Sequence, residues 1–546
     1  MSPPPAPPPL PPASSLSGPA FRWLHAGAWV LLGVALAHVF FRFSDGTLDP
    51  MELFNSDELY LPALYRDLFE LGGRWAGWRL TPAPYFFPDM PLYFALQALS
   101  GSLVYATLLY AAVQVALLVL STQFLVRTAA PPGAAALGQV VAVCVVAGLL
   151  VAYGTGTFRV MQTSVLSAIH FSTVPMALAG LALALRTFRG DSRLAPWLLG
   201  VLCFLASASD SLFAVVFTVP AGLCLVLLAV ARRPVPWRRL GAILGILGGA
   251  TLLGFRAVRW STLKRSGSGY TKLRADAAWE SLRQLGSLVV EQVQRSPGLT
   301  VLWVVMTLAA VAVLVARRRQ WTASGSPRGG VYAVCLFGVL ALGTNVGAVV
   351  LTGLFRDDTC FRYLPMSLLL PFLGLAFAAG LVPRETWQRA LGAVALGVVA
   401  VAWGGTFARN PWRTEGPLVS GYYPRLVACL DENRERHGLA WGVGDYWNAK
   451  FVSLFSRTGL WVNQVEGEGR VQPWITNVDW YLARHGERPD HTFVITERLD
   501  MAGFKRRFGE PRASFQCEGV EVFVYGDGFD TALRDAFADE LKVPRR

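Results

Sequence analysis

The stretch Phe54-Asn55-Ser56-Asp57-Glu58-Leu59-Tyr60 sets two adjacent carboxylates a short way beyond the first long apolar run, 23–43. That run is long enough to cross a hydrocarbon layer of roughly 30 Å. It has neither the basic start nor the nearby small-residue cleavage site of a secretory leader, so it is expected to persist as a first membrane helix. The acid pair then lies at a membrane surface. Charges in that position need a cause, and the chain on either side indicates one.

Of 546 residues, 53% are hydrophobic and only 16% charged, the balance of a polytopic membrane protein. Further apolar runs fall near 101–125, 138–155, 164–185, 195–209, 211–231, 240–258, 298–316, 331–353, 363–381 and 389–407. With the first they make about eleven spans, 195–231 reading either as a helical hairpin or as one broken helix. The net charge of +13 does not point to nucleic acid. The arginines sit in short clusters between apolar runs, with no Lys-rich face and no helix-turn-helix or zinc pattern.

Those clusters orient the chain. Arg127, Arg186/Arg189/Arg193, Arg232/Arg233/Arg238/Arg239, Arg317-Arg318-Arg319 with Arg328, and Arg384/Arg389 fall on one side, the cytoplasmic one by the positive-inside rule. Asp45, Asp49, Glu52, Asp57, Glu58, Asp67, Glu70 and Asp89 fall on the other. Residues 1–20, Pro-, Ala- and Ser-rich, read as a disordered cytoplasmic tail. Residues 21–407 read as the membrane domain, with a first outer loop at 44–100.

From 408 to 546 the hydropathy falls, and short apolar clusters at 439–443, 460–462, 492–495 and 520–524 read as strands. They alternate with helical stretches near 422–437, 446–457, 474–485 and 529–541, the pattern of a small extracytoplasmic α/β domain. Gly442-Val443-Gly444 is too short for a dinucleotide fingerprint. The aromatics Tyr446, Trp447, Trp461, Trp474, Trp480 and Tyr481 suit core packing or sugar stacking. Cys144, Cys203, Cys224 and Cys335 sit in apolar runs as small hydrophobes. Cys429 and Cys517 could pair in an oxidising compartment.

If 59–71 is helical, Leu61, Leu64, Leu68 and Leu71 make one apolar stripe along the bilayer surface, bounded by Pro62 and Gly72-Gly73. A carboxylate held there could take a proton from an acceptor hydroxyl as an anomeric bond breaks; otherwise Asp57 and Glu58 are surface acids. The outer loop 259–297 breaks the charge rule with Arg259, Lys264, Arg265, Lys272, Arg274, Arg283 and Arg295. Either a longer loop tolerates its charge, or Lys264 and Arg265 among these cations meet a lipid-linked phosphate. A late outer loop, 355–365, carries Arg356, Asp357, Asp358, Arg362 and Tyr363. Asp357 and Asp358 could hold a divalent cation, Mg or Mn, beside a phosphate, or pair with neighbouring arginines. Asp89 reads as a second acid or a helix N-cap, Asp210 as an acid between two spans, and His170, within the fourth helix toward the outer side, as a buried, hydrogen-bonded histidine or a catalytic one.

An Asp-Glu pair in the first outer loop, after the first membrane helix and before an amphipathic segment, resembles the GT-C superfamily of integral-membrane glycosyltransferases. Protein O-mannosyltransferases and bacterial lipid A aminoarabinose transferases belong to it. The resemblance covers the topology of 23–407 and the motif Ser56-Asp57-Glu58-Leu59-Tyr60; an oligosaccharyltransferase-type WWD signature is not present. It implies that Asp57 acts as catalytic base with Glu58 as its helper. The Arg-Tyr pair entering a late helix implies Arg362, or Arg356, as the cation on the donor phosphate. The expected reaction is inverting transfer of a sugar from a polyprenyl-phosphate donor to a glycan, lipid or protein acceptor, outside the plasma (inner) membrane of a cell envelope. A transporter or lipid flippase would instead carry internal repeats or broken polar helices at mid-membrane. A non-catalytic scaffold would need only 408–546.

Overall fold

The computed structural model describes residues 19–131, 135–231, 237–261, 263–265, 274–316, 329–382, 384–412, 421–483 and 488–542. Most of the proposed N-terminal tail, Arg232, Arg233, Lys272, Arg317-Arg318-Arg319 and Arg328 lie outside them.

Each apolar run except 164–185, whose helix begins only at Thr173, coincides with a helix of one bundle. Among the described residues eight helices are long and apolar enough to cross a membrane: Phe21–Ser44, Leu103–Ala129, Ala135–Gly154, Ala214–Ala231, Trp237–Trp260, Pro297–Ala316, Gly329–Leu351 and Glu385–Arg409. Thr173–Arg189, Ala195–Ser209 and Pro365–Ala379, of 17, 15 and 15 residues, are shorter. The stretch 195–231 is a helical pair, broken at Asp210. Without a hydrophobic drive between helices in lipid, close approach depends on small residues. A Cβ at Gly138 would come within 2.6 Å of the Ala376 carbonyl oxygen, and one at Gly254 within 2.5 Å of that of Phe204. At one end of the bundle, Arg189 donates to Thr128 O and Arg239 to Arg189 O, so basic clusters far apart in sequence gather on one side.

At the other end sits the C-terminal domain. Its six-stranded sheet runs, in spatial order, Arg470–Val471, Trp461–Glu466, Trp441–Gly444, His491–Ile495, Val520–Val524 and Ala513–Cys517. Trp441–Gly444 is parallel to both its neighbours, and the remaining pairings are antiparallel. The four anticipated strands are present. The anticipated helix at 474–485 is instead the short strand Thr476–Asn477 with a 3₁₀ turn, Val478–Tyr481, and the helix Met501–Phe508 was not foreseen. A disulfide joins Cys429, on the helix Arg425–Glu432, to Cys517 on the sheet edge.

The first outer loop is bound into this domain rather than lying on a bilayer. Its helix Tyr60–Tyr65 continues as a π-turn, Arg66–Glu70, and Leu61, Pro62 and Leu64 are buried, Pro62 inside the helix rather than at its edge. Asp67, also buried, accepts N–H bonds from Trp78 (2.7 Å), Trp480 (2.8 Å) and Asn477 (2.9 Å). Strand Trp78–Leu80 pairs with Lys264–Arg265 on one side and Thr476–Asn477 on the other. Of the proposed bilayer-facing stripe, Leu61 and Leu64 therefore face protein, while Leu68 and Leu71 are only half-buried. Three donors on one carboxylate fix the loop that carries Asp57.

Candidate active site

Asp57 stands at the turn before the helix Tyr60–Tyr65. Asn55 Oδ1 accepts from the Asp57 and Glu58 backbone N–H groups. Ser56 Oγ donates to the Tyr446 and Trp447 carbonyls at 2.6 and 3.0 Å. Those carbonyls lie in the first turn of the helix Tyr446–Phe455, whose N-cap, Asp445, follows the central parallel strand Trp441–Gly444. The carboxyl end of such a strand is where α/β sheets present ligand-contacting groups. Here it presents Tyr446, whose hydroxyl donates to Asp57 Oδ1.

The other Asp57 oxygen, Oδ2, accepts from Arg362 Nη1 at 3.0 Å. The two residues are 305 positions apart and line one cavity of about 470 Å³. Arg362 belongs to the 3₁₀ turn Asp358–Tyr363, just before the helix Pro365–Ala379, and its guanidinium lies 5.5 Å from the centre of the Tyr363 ring. Tyr85, His170, Asp210, Tyr363 and Trp474 supply further polar lining, while Val215, Phe255, Ala348, Val349 and Leu354 make an apolar wall. A charged pocket with a greasy flank suits a ligand that carries both chemistries.

The remaining candidates are placed differently. Glu58 is 2% exposed and points away into the bundle, where its Oε2 accepts from Ser167 N (2.7 Å) and Oε1 has no hydrogen-bond partner. Burial first, and the neighbouring Asp57 charge second, hold its carboxyl well above the usual carboxylate range. It therefore supports Asp57 from behind rather than facing the cavity. Asp89 is the first residue of the helix Asp89–Ser100, whose N-cap position is Pro88; it accepts from Tyr110 OH and from Ser172 Oγ (2.8 Å). Asp357 takes the Thr359 N–H, and Asp358 pairs with Arg159 at 3.0 Å. Arg356 is exposed. Lys264 and Arg265 are exposed too, Arg265 reaching Pro82 O on the cavity rim at 3.4 Å. In the same loop Arg274, Arg283 and Arg295 pair with Asp276, Glu280 and Glu291. Among the described residues no three His, Cys, Asp or Glu side chains cluster to hold a metal ion; Asp357 Oδ1 accepts from Thr359 and Asp358 Oδ2 from Arg159.

Two site groups were misjudged from sequence. His170 is not in a helix: Thr173–Arg189 begins after it, and its backbone has a φ of 60°. Tyr446, one of six aromatics of uncertain purpose, is the domain's hydroxyl donor to Asp57. If Asp57 is the base of a glycosyl transfer, as the resemblance implies, replacing Tyr446 with Phe should lower turnover about tenfold with donor KM within about twofold, since only one hydrogen bond to Asp57 is lost; steady-state transfer kinetics on Tyr446→Phe membranes measure this.

Lys450 lies behind that tyrosine, 4% exposed, its Nζ 4.0 Å over the Tyr446 ring and 3.5 Å from Gln464 Oε1. Burial, partly opposed by the Asp57 charge, brings its amine down to about 7. Since the unfolded amine titrates near 10.4, the unfolded chain binds more protons between the two values, and stability must rise with pH from about 7 to about 10. Below that window both states are protonated and this contribution is flat. Thermal unfolding in detergent at pH 7 and pH 9 should show the wild type gaining on Lys450→Met by at most about 1.4 kcal/mol per pH unit.

The fold has a solved counterpart. ArnT from Cupriavidus metallidurans, determined bound to undecaprenyl phosphate, aligns over 93% of this chain and 99% of its own at 12% identity, with a TM-score of 0.53. The two chains share a fold. The architecture implied by the GT-C resemblance is thus the one found, and the protein is a multi-pass membrane protein. Two structures of an oligosaccharyltransferase from Archaeoglobus fulgidus align more loosely. One, in complex with Zn and sulfate, covers 85% of this chain and 67% of its own at 12% identity and a TM-score of 0.39. The other, with an inhibitory peptide and a dolichol-phosphate, covers 86% and 69% at 10% identity and 0.43. No family model matches the sequence, and no curated protein matches it.

Proposed function

We propose that this protein is a glycosyltransferase that moves a sugar from a polyprenyl-phosphate carrier to an acceptor hydroxyl at the outer face of the membrane. One observation carries the reading: an acid after the first membrane helix and a cation before a late one meet at 3.0 Å on the wall of a cavity with a polar and an apolar side. The shared fold with a protein that binds undecaprenyl phosphate supports a phosphorylated polyprenyl ligand for that cavity.

In this reading the donor phosphate draws Arg362 away from Asp57. The guanidinium then holds negative charge as it develops on the departing phosphate. Asp57, freed from its ion pair and kept in place by Tyr446, accepts the proton of the acceptor hydroxyl. The acceptor oxygen bonds to the anomeric carbon from the face opposite the phosphate. The carbon–oxygen bond to phosphate breaks, and its electron pair leaves with the polyprenyl phosphate. The apolar wall receives the first isoprene units.

The basic clusters support a cytoplasmic position for that end of the bundle, with the cavity and residues 408–546 outside a plasma (inner) membrane. The bound C-terminal domain would help to select the glycan, lipid or protein acceptor. Purified protein in proteoliposomes with a panel of labelled polyprenyl-phosphate sugars should yield a labelled covalent product. Counterflow of intact donor without such a product would favour a transporter and overturn the proposal.

A further inference from the structure

The mechanism above leaves one part of the cavity lining without a role. His170 Nδ1 lies 2.6 Å from Asp210 Oδ2, and its Nε2 lies 3.3 Å from the Tyr85 hydroxyl. Asp210 is 2% exposed, and its other oxygen accepts from Leu212 N at 2.9 Å, which fixes the carboxylate plane. A carboxylate on Nδ1 keeps that nitrogen protonated and leaves Nε2 to exchange a proton with whatever occupies the cavity.

The backbone at this group is strained. Among the described residues seven non-glycine positions have positive φ, and four of them, Tyr85 (55°), Ala168 (54°), His170 (60°) and Ile475 (50°), line this one cavity. Such conformations persist only where surrounding structure enforces them, and they gather at functional sites. The enforcement is visible: Tyr85 N donates to Ser209 O at 3.1 Å, Phe87 N to Ser209 Oγ at 2.9 Å, and Thr173 Oγ1 to His170 O at 2.6 Å. Three separate chain segments are thereby held to one imidazole.

The position of that imidazole indicates its role. The Tyr363 ring is shared: its centre is 5.0 Å from that of His170 and 5.5 Å from the Arg362 guanidinium. Arg362 and His170 thus flank one ring and line one cavity, so a ligand whose phosphate Arg362 engages shares that cavity with the imidazole. Tyr85, Asp210, Tyr363 and Arg362 are the titratable or charged groups that face the ring.

We propose that His170, oriented by Asp210, is the general acid of the reaction, donating its Nε2 proton to the phosphate oxygen that leaves the sugar. This rests on the glycosyl-transfer reading. As the acceptor oxygen bonds to the anomeric carbon, the carbon–oxygen bond to phosphate breaks and its electron pair stays on that oxygen, which takes the His170 proton. The acceptor's own proton goes to Asp57, and exchange with water restores both groups. Tyr85 holds the ring in place between turnovers.

The test compares two donors of the same sugar, one linked through polyprenyl monophosphate and one through polyprenyl diphosphate, whose departing oxygen is less basic and needs a proton less. His170→Gln should lower kcat with the monophosphate donor by about 30-fold or more, but by less than about fivefold with the diphosphate. Asp210→Asn, which keeps a buried hydrogen bond but reverses its sense, should give the same donor-dependent deficit. Equal losses with both donors in both variants, or no loss, overturn the role of His170. A wild type inert with both donors overturns the transfer reading itself.

Discussion

Membranes carrying Asp57→Asn should transfer sugar from a polyprenyl-phosphate donor at about one thousandth of the wild-type rate or less. The substitution keeps the size of the side chain and a partner for the Tyr446 hydroxyl, so the loss reports chemistry rather than collapse. A positioned base contributes about 10²- to 10⁴-fold, and no second carboxylate is ready to replace this one. Glu58 is adjacent in sequence, but it is buried in the bundle and held towards its neutral form. Donor KM should stay the same or fall. In the wild type the phosphate must compete with Asp57 for Arg362, and the amide removes the competitor. A fall in kcat without a rise in KM marks an interaction made only in the transition state.

Arg362→Ala should behave in the opposite sense, raising donor KM at least tenfold and lowering kcat by about 10²-fold. In the proposed reaction its guanidinium would contact the donor in the ground state and stabilise the leaving group afterwards. Arg362→Lys should recover only part of this, since a point charge cannot match a planar fork on phosphate oxygens. The double variant Asp57→Asn/Arg362→Ala should fall short of the product of the two single effects, because the residues contact one another and act on one event. Initial rates over a range of donor concentrations for all four proteins complete the cycle.

What the sequence disclosed and what it hid follow from the range of the forces involved. Asp57 and Arg362 could be found because each sits at a fixed place relative to an apolar run, and hydropathy locates the runs. The helices were legible for the same reason. His170 was singled out but its setting was hidden, because the apolar stretch 164–185 reads as one continuous helix, while the α-helix begins only at Thr173. A left-handed backbone at a histidine leaves no mark in composition. Tyr446 was hidden among aromatics, since only the pairing of distant segments makes its hydroxyl face Asp57. The stripe at Leu61 and Leu64 was a sound apolar pattern, but an apolar face does not say whether lipid or protein covers it, and here Asp67 with its three donors brings protein. Lys264 and Arg265 looked like an anion grip by charge alone, and they form a short exposed strand beside Arg79 and Leu80.

The central claim is that a polyprenyl phosphate binds where Asp57 and Arg362 meet. Photolabelling of the purified protein with a polyprenyl phosphate bearing a diazirine near its phosphate, with the labelled peptides identified by mass spectrometry, tests it most directly. The account predicts labels on the segments that line the cavity, around Tyr85, 168–170, 348–354 and Trp474, lost in Arg362→Ala and retained or strengthened in Asp57→Asn. Labels on other helices, or labelling indifferent to Arg362, would contradict it.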